Sequence, residues 1–148
     1  MADGDVVIDK LTDSIHEAQD KLCYFLMTAS GAAIAYALVR TEGVERAWWM
    51  FAVLAAICCW GLSFYQGCYR MIRKTQAQRA NERFLTIEAG QDEEFRVGTP
   101  AAAVASETLK SLAHRNASRS ASAGASQLQL FLCGALLYVA GHVWRILA

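Results

Sequence analysis

The residues best suited to metal binding or nucleophilic chemistry are five cysteines and three histidines, and their spacing supports neither. Cys23, Cys58, Cys59, Cys68 and Cys133 contain no Cys-x-x-Cys pair and no Cys/His grouping with tetrahedral zinc spacing. All five stand in or beside apolar runs, where a free thiol behaves as a small apolar side chain. His16, His114 and His142 are far apart. His16 falls on the polar side of an amphipathic segment and is expected to be solvated. His142 lies near the end of the last apolar run, where an interfacial role is favoured over a proton relay. There is no nucleophile motif, paired-carboxylate arrangement or glycine-rich phosphate loop. No catalytic residue, metal ligand or cofactor is therefore expected, and the chain does not read as an enzyme.

The elements that carry these residues are set by hydropathy. Leu22–Val39, Ala47–Tyr69 and Leu128–Leu147 are long apolar stretches without an acidic residue. In hydrocarbon only a helix lets every backbone N–H and C=O pair within its own segment. The first stretch reaches roughly 27 Å and the second roughly 34 Å, enough to cross a bilayer. The third is uncharged as far as Gly141, after which Arg145 is placed to snorkel to the interface. The expected fold is all-α and polytopic, with three transmembrane helices. Trp48 and Trp49 enter the second span and Tyr65 and Tyr69 leave it, as interfacial anchors do. The acidic start, with Asp3, Asp5, Asp9, Asp13, Glu17 and Asp20, does not read as a signal peptide, so the first span serves as its own insertion signal.

Basic residues set the orientation. Arg70, Arg73, Lys74, Arg79 and Arg83 follow the second span, with Glu82 as the only acid among them, and Lys110, Arg115 and Arg119 precede the third. The positive-inside rule then places residues 70–127 and the N-terminus in the cytoplasm and the C-terminus outside, most simply in a bacterial inner membrane. Asn116-Ala-Ser matches a glycosylation acceptor, but a cytoplasmic position makes that match fortuitous.

Three regions are expected. Residues 1–90 form an amphipathic helix and a two-span hairpin. Ile8, Leu11, Ile15, Ala18, Leu22 and Phe25 step by three and four into the first span, which predicts one helix from about Asp5 to Arg40. A second helix is predicted from Glu45 to Ala89, capped at Gly90. With a tight turn at Glu42–Val44, facing residues sum to about 86. That register sets Glu17 against Arg70, Asp13 against Arg73 or Lys74, and Asp3 near Arg83. Residues 91–126 are expected to lose order, apart from a short amphipathic helix over Ala101–His114, with Asn116–Ser126 as a flexible tether. Residues 127–148 form the third span.

Small residues point to assembly. Ala29, Ala33 and Ala37 recur on one face of the first span, and Gly134 and Gly141 share a face of the third with Tyr138 and Arg145. Such stripes allow helices to approach closely in lipid, between copies or within one. A protomer of three spans encloses no pathway, so transport requires several copies in an oligomeric bundle. Thr28, Ser30, Ser63 and Gln66 are the candidates to line such a path. Arg70, Arg73, Lys74, Arg79 and Arg83 are the candidates to meet anionic lipid headgroups or a signalling ligand. No aromatic interleaving favours nucleic acid.

An amphipathic helix over Ile8–Phe25, two closely spaced spans and the basic extension Arg70–Arg83 together resemble the SLATT-type two-transmembrane effectors of bacterial anti-phage systems. The resemblance covers about residues 5–89, and the third span is additional to that layout. It implies a membrane pore controlled by a nucleotide-sensing or nucleotide-synthesising partner on the cytoplasmic side. The leading expectation is thus an oligomeric pore-forming or membrane-permeabilising protein gated through its cytoplasmic helices. The alternatives are a phage holin, whose short connections suit the 70–127 segment poorly, and a non-conducting accessory subunit or adaptor.

Overall fold

In the computed structural model the described residues are 2–41, 48–92, 94–95 and 98–147, and the side chains of 2–13 and 16 are outside them. Three helices account for nearly all of it: α1 (Ala2–Thr41), α2 (Trp49–Glu88) and α3 (Pro100–Leu147). All three are long and apolar enough over part of their length to cross a membrane. With 40, 40 and 48 residues they extend about 60, 60 and 72 Å, roughly twice the apolar thickness of a bilayer.

α1 covers the expected span, the expected start of α2 at Glu45 lies outside the described residues, and α2 ends as its sequence predicts. Gly90 takes a positive φ of 71°, the Gln91 N–H donates to the Thr86 carbonyl and the Gly90 N–H to that of Ile87. This is a Schellman closure, which glycine permits without strain. The expectation for residues 91–126 is overturned. Asn116–Ser126 is no tether, and the short helix over 101–114 has no end of its own, because α3 runs unbroken from Pro100 to Leu147. Thr99 starts it, its hydroxyl accepting from the Ala102 N–H at 3.2 Å, and Pro100 occupies the first helical position, where no N–H is needed. Serine lowers helix propensity by only about 0.5 kcal/mol per residue, and the interspersed alanines are the strongest helix formers. The side chains at 113, 116, 120, 123 and 127 also recur in steps of three and four, the period of a helix with a partner.

The chain divides into two compact units, residues 1–67 with 126–148, and residues 68–125. The first contains an antiparallel three-helix packing. Ala37, Val53, Ala56 and Trp60 form its buried centre, flanked by Ala33, Ile34, Trp49, Ile57, Phe131, Leu137 and Tyr138. Here the register differs from the expected one. Cys23 meets Gly67 and Ser30 meets Ser63, so facing residues sum to 90 and 93. The expected value of 86 assumed a turn centred on Gly43, whereas the described helices stop at Thr41 and resume at Trp49, a midpoint two residues later. The expected turn at Glu42–Val44 itself lies outside the described residues.

The second unit is a polar hairpin made by the later part of α2, the connection through Gly98 and the earlier part of α3. Ile87 and Ala102 are buried at its closed end. Asp92 shapes the connection by accepting from the N–H groups of Glu94 and Phe95.

Candidate functional site

The residues with polar chemistry inside the apolar unit converge on one layer. Successive inward positions of α1 (Cys23, Leu26, Ser30, Ala33, Ala37) and α2 (Val53, Ala56, Trp60, Ser63, Gly67) bring Ser30 and Ser63 together in the interior. Both are fully buried. Their hydroxyls lie 3.5 Å apart, and that of Ser63 donates to the Gln127 carbonyl at 2.8 Å. Gln127, which sequence reasoning did not single out, is also fully buried, and its amide donates to the Cys23 carbonyl at 3.3 Å. The Cys23 thiol donates to the Gly67 carbonyl at 3.8 Å. One layer of side-chain bonds thus ties three helices together.

Two of the four residues expected to line a pathway lie in this layer. Ser30 and Ser63 are closed inside the protomer, held by each other and by α3, and face neither lipid nor a lumen. Thr28 is exposed and bonds back to the Tyr24 carbonyl of its own helix at 3.0 Å, and Gln66 is half-buried. The small-residue stripes likewise act within the protomer. Ala29 and Ala33 are half-buried and Ala37 fully so. A Cβ at Gly134 would lie 2.7 Å from the Trp60 indole nitrogen and 3.1 Å from the Ala56 carbonyl oxygen, and one at Gly141 3.0 Å from the Ala52 methyl. That close approach lets the Trp60 indole N–H donate to the Phe131 carbonyl at 3.2 Å. Gly31 and Gly61 differ, since a Cβ at either would meet nothing within 4 Å.

The five basic residues after the second span do not form one open cationic surface. Arg83 pairs with Asp92 and Glu94 and rests over the Phe95 ring. Arg73 donates to Gln76 and to Asn116 and covers the Tyr69 ring at 4.9 Å. The Arg70 guanidinium fills the space over Gly124, and its carbonyl accepts from Ser120 at 3.3 Å. Lys74 is half-buried and Arg79 exposed. Glu17, expected opposite Arg70, makes an exposed ion pair with Lys21 at 2.7 Å, one turn along its own helix. The side chains of Asp3, Asp13 and His16 are outside the described residues. Among the described residues no three His, Cys, Asp or Glu side chains cluster to hold a metal ion.

A second polar grouping lies where α1 closes, α2 opens and α3 closes. A cleft of about 410 Å³ there is lined in part by Tyr36, Arg40, Trp49, Tyr138, His142 and Arg145. Tyr138 is central, 6.2 Å from the Tyr36 ring, 5.7 Å from Trp60 and stacked on His142 at 6.3 Å. Sequence reasoning placed His142 at an interface; the grouping of Arg40 with Arg145 requires the antiparallel order of the helices and has no local signature.

No family model, no curated protein and no solved structure matches this chain.

Proposed function

We propose that this chain is an integral membrane protein that works as a homo-oligomer, permeabilising the bilayer under control of its polar hairpin. The observation that carries the assembly is the contrast among its glycines. Gly67, Gly134 and Gly141 are filled by the protomer's own side chains or backbone, whereas Gly31 and Gly61 face open space. A glycine on an exposed face of a transmembrane helix has no packing use within the protomer and allows a second helix to approach. The excess of Lys and Arg in residues 68–125 supports a cytoplasmic hairpin, hence a cytoplasmic N-terminus and an external C-terminus. The partner fitting that side is a regulatory protein or a nucleotide-type ligand. With Ser30 and Ser63 closed inside each copy, the conducting path runs between copies, where Thr28 remains exposed.

The test is particle mass in a mild detergent and in nanodiscs, followed by ion flux from liposomes. Gly31→Leu and Gly61→Leu lower both the copy number and the flux while helicity is retained, since a Cβ at either position meets nothing of the protomer within 4 Å. Wild-type protein that stays monomeric in both environments sinks the permeabilising reading. A non-conducting adaptor then follows, a reading that the closure of Ser30, Ser63 and Gln127 inside one copy favours.

A further inference from the structure

We infer that the cleft between the ends of the three helices is a binding site for the phosphate of an anionic phospholipid. The inference rests on the membrane location alone and is independent of whether the assembly conducts.

Two guanidinium groups from different helices line this cleft, Arg40 in the last turn of α1 and Arg145 in the last turn of α3. Each is held by a ring. Arg40 lies 5.6 Å over Tyr36, with its Nε–H donating to the Tyr36 hydroxyl at 3.2 Å, and Arg145 lies 5.0 Å over Trp49. A ring face restrains a guanidinium without using its terminal N–H groups, and a pair of those N–H groups matches two phosphate oxygens. Among the described residues neither arginine has a carboxylate partner. His142, also in the lining, adds a further donor. The acids nearest in sequence are Glu42 and Glu45, in the connection outside the described residues.

The flanks select the lipid over a soluble phosphate. Leu38, Val39, Val143 and Ile146 stand exposed beside the cleft residues, 47% to 72% accessible. Acyl chains running along these faces keep apolar contact while the headgroup reaches the arginines at interfacial depth. A simpler role for both cations is to offset the negative ends of α1 and α3, which any cation does. Lysine preserves that role and removes the two-toothed fork, so the Arg-to-Lys change separates the two.

The experiment is native mass spectrometry of the full chain in a zwitterionic detergent, titrated with dioleoylphosphatidylglycerol against dioleoylphosphatidylcholine. Wild-type protein and the control Arg119→Gln, an exposed cation outside the cleft lining, retain the anionic lipid preferentially. The double variant Arg40→Gln/Arg145→Gln loses about ten-fold in retention, and Arg40→Lys/Arg145→Lys several-fold, with helicity unchanged. Equal retention of the two lipids by wild-type protein overturns the site without any variant. So does full retention by the Gln double variant, or an equal loss in Arg119→Gln. Displacement of the lipid by millimolar inorganic phosphate overturns the lipid assignment and makes a soluble phosphate the occupant.

Discussion

The contact between α2 and α3 is made twice, once from apolar residues and once from polar ones. In the first unit Trp60 meets Phe131 and Gly134, and Ser63 meets Gln127. In the second, Arg70 meets Ser120 and Gly124, and Arg73 meets Asn116. Facing residues sum to between 189 and 194 in both, so each uses the same antiparallel register. What differs is how the space is filled. In lipid, two apolar helices gain little by hiding from solvent, and attraction comes from close approach and from bonded polar atoms. The first unit accordingly brings a backbone carbonyl and a rigid indole against glycine. The second sets a flexible guanidinium over its glycine. The same residue type is therefore fixed in one unit and adjustable in the other.

Substitution at the glycines breaks or sharpens that contrast. The largest effect is expected at Gly134. Gly134→Val drives a branched side chain onto Trp60 and the Ala56 carbonyl, neither of which moves without displacing α2. A loss of about 3 kcal/mol is expected, read from the midpoint of unfolding when sodium dodecyl sulfate is titrated into mild-detergent micelles. A loss under about 1 kcal/mol would show that the helices simply separate a little, and the rigid-seam argument fails.

Gly67→Ala should cost less, about 1–2 kcal/mol, because the atoms in its way are side-chain ends. They are the Gln127 amide nitrogen and the Met27 Cγ, both 2.6 Å from the added carbon. Moving Gln127 breaks its bond to the Cys23 carbonyl. The double variant Gly67→Ala/Gln127→Ala should recover most of the loss in the same assay. Strict additivity of the two single changes would mean that the pair is not coupled.

The smallest effect is expected at Gly124. A methyl there lies 2.8 Å from the Arg70 Nη1, and that side chain can swing aside. The gain in helix propensity, about 0.8 kcal/mol for alanine over glycine, offsets the lost contact, and the net change should stay within about 0.5 kcal/mol. A cost as large as that at Gly134 would erase the distinction between the two units.

The apolar half of each helix was legible because lipid imposes a strong pattern, long runs without acids. The end of α2 was legible because Gly90 has few alternative uses. Asn116–Ser126 misled because its composition is that of a linker, while the information lies in its spacing. Ser106, Ala113, Ser120, Gln127, Gly134 and Gly141 recur at intervals of seven, and the last four are buried. Read as a period, that series carries the helix straight through the serine-rich stretch. The packing of the serines was not legible for a different reason. A hydroxyl in a span suits a lumen or a helix contact equally well, and only the position of α3, with the Gln127 carbonyl beside Ser63, decides between them.

The unbroken seam of α3 turns length into phase. Linkers tolerate insertions and deletions because nothing downstream depends on their residue count. In Asn116–Ser126 one added residue rotates everything that follows by about 100° about the helix axis. Gly134 and Gly141 then turn away from Trp60 and Ala52, and larger side chains take their places. Substitution of one small residue by another leaves that phase intact, whereas a change in length that is far from a whole number of helical turns does not. Among variants of this chain, the stretch that looks most expendable in composition should be free to change its letters and barely free to change their number.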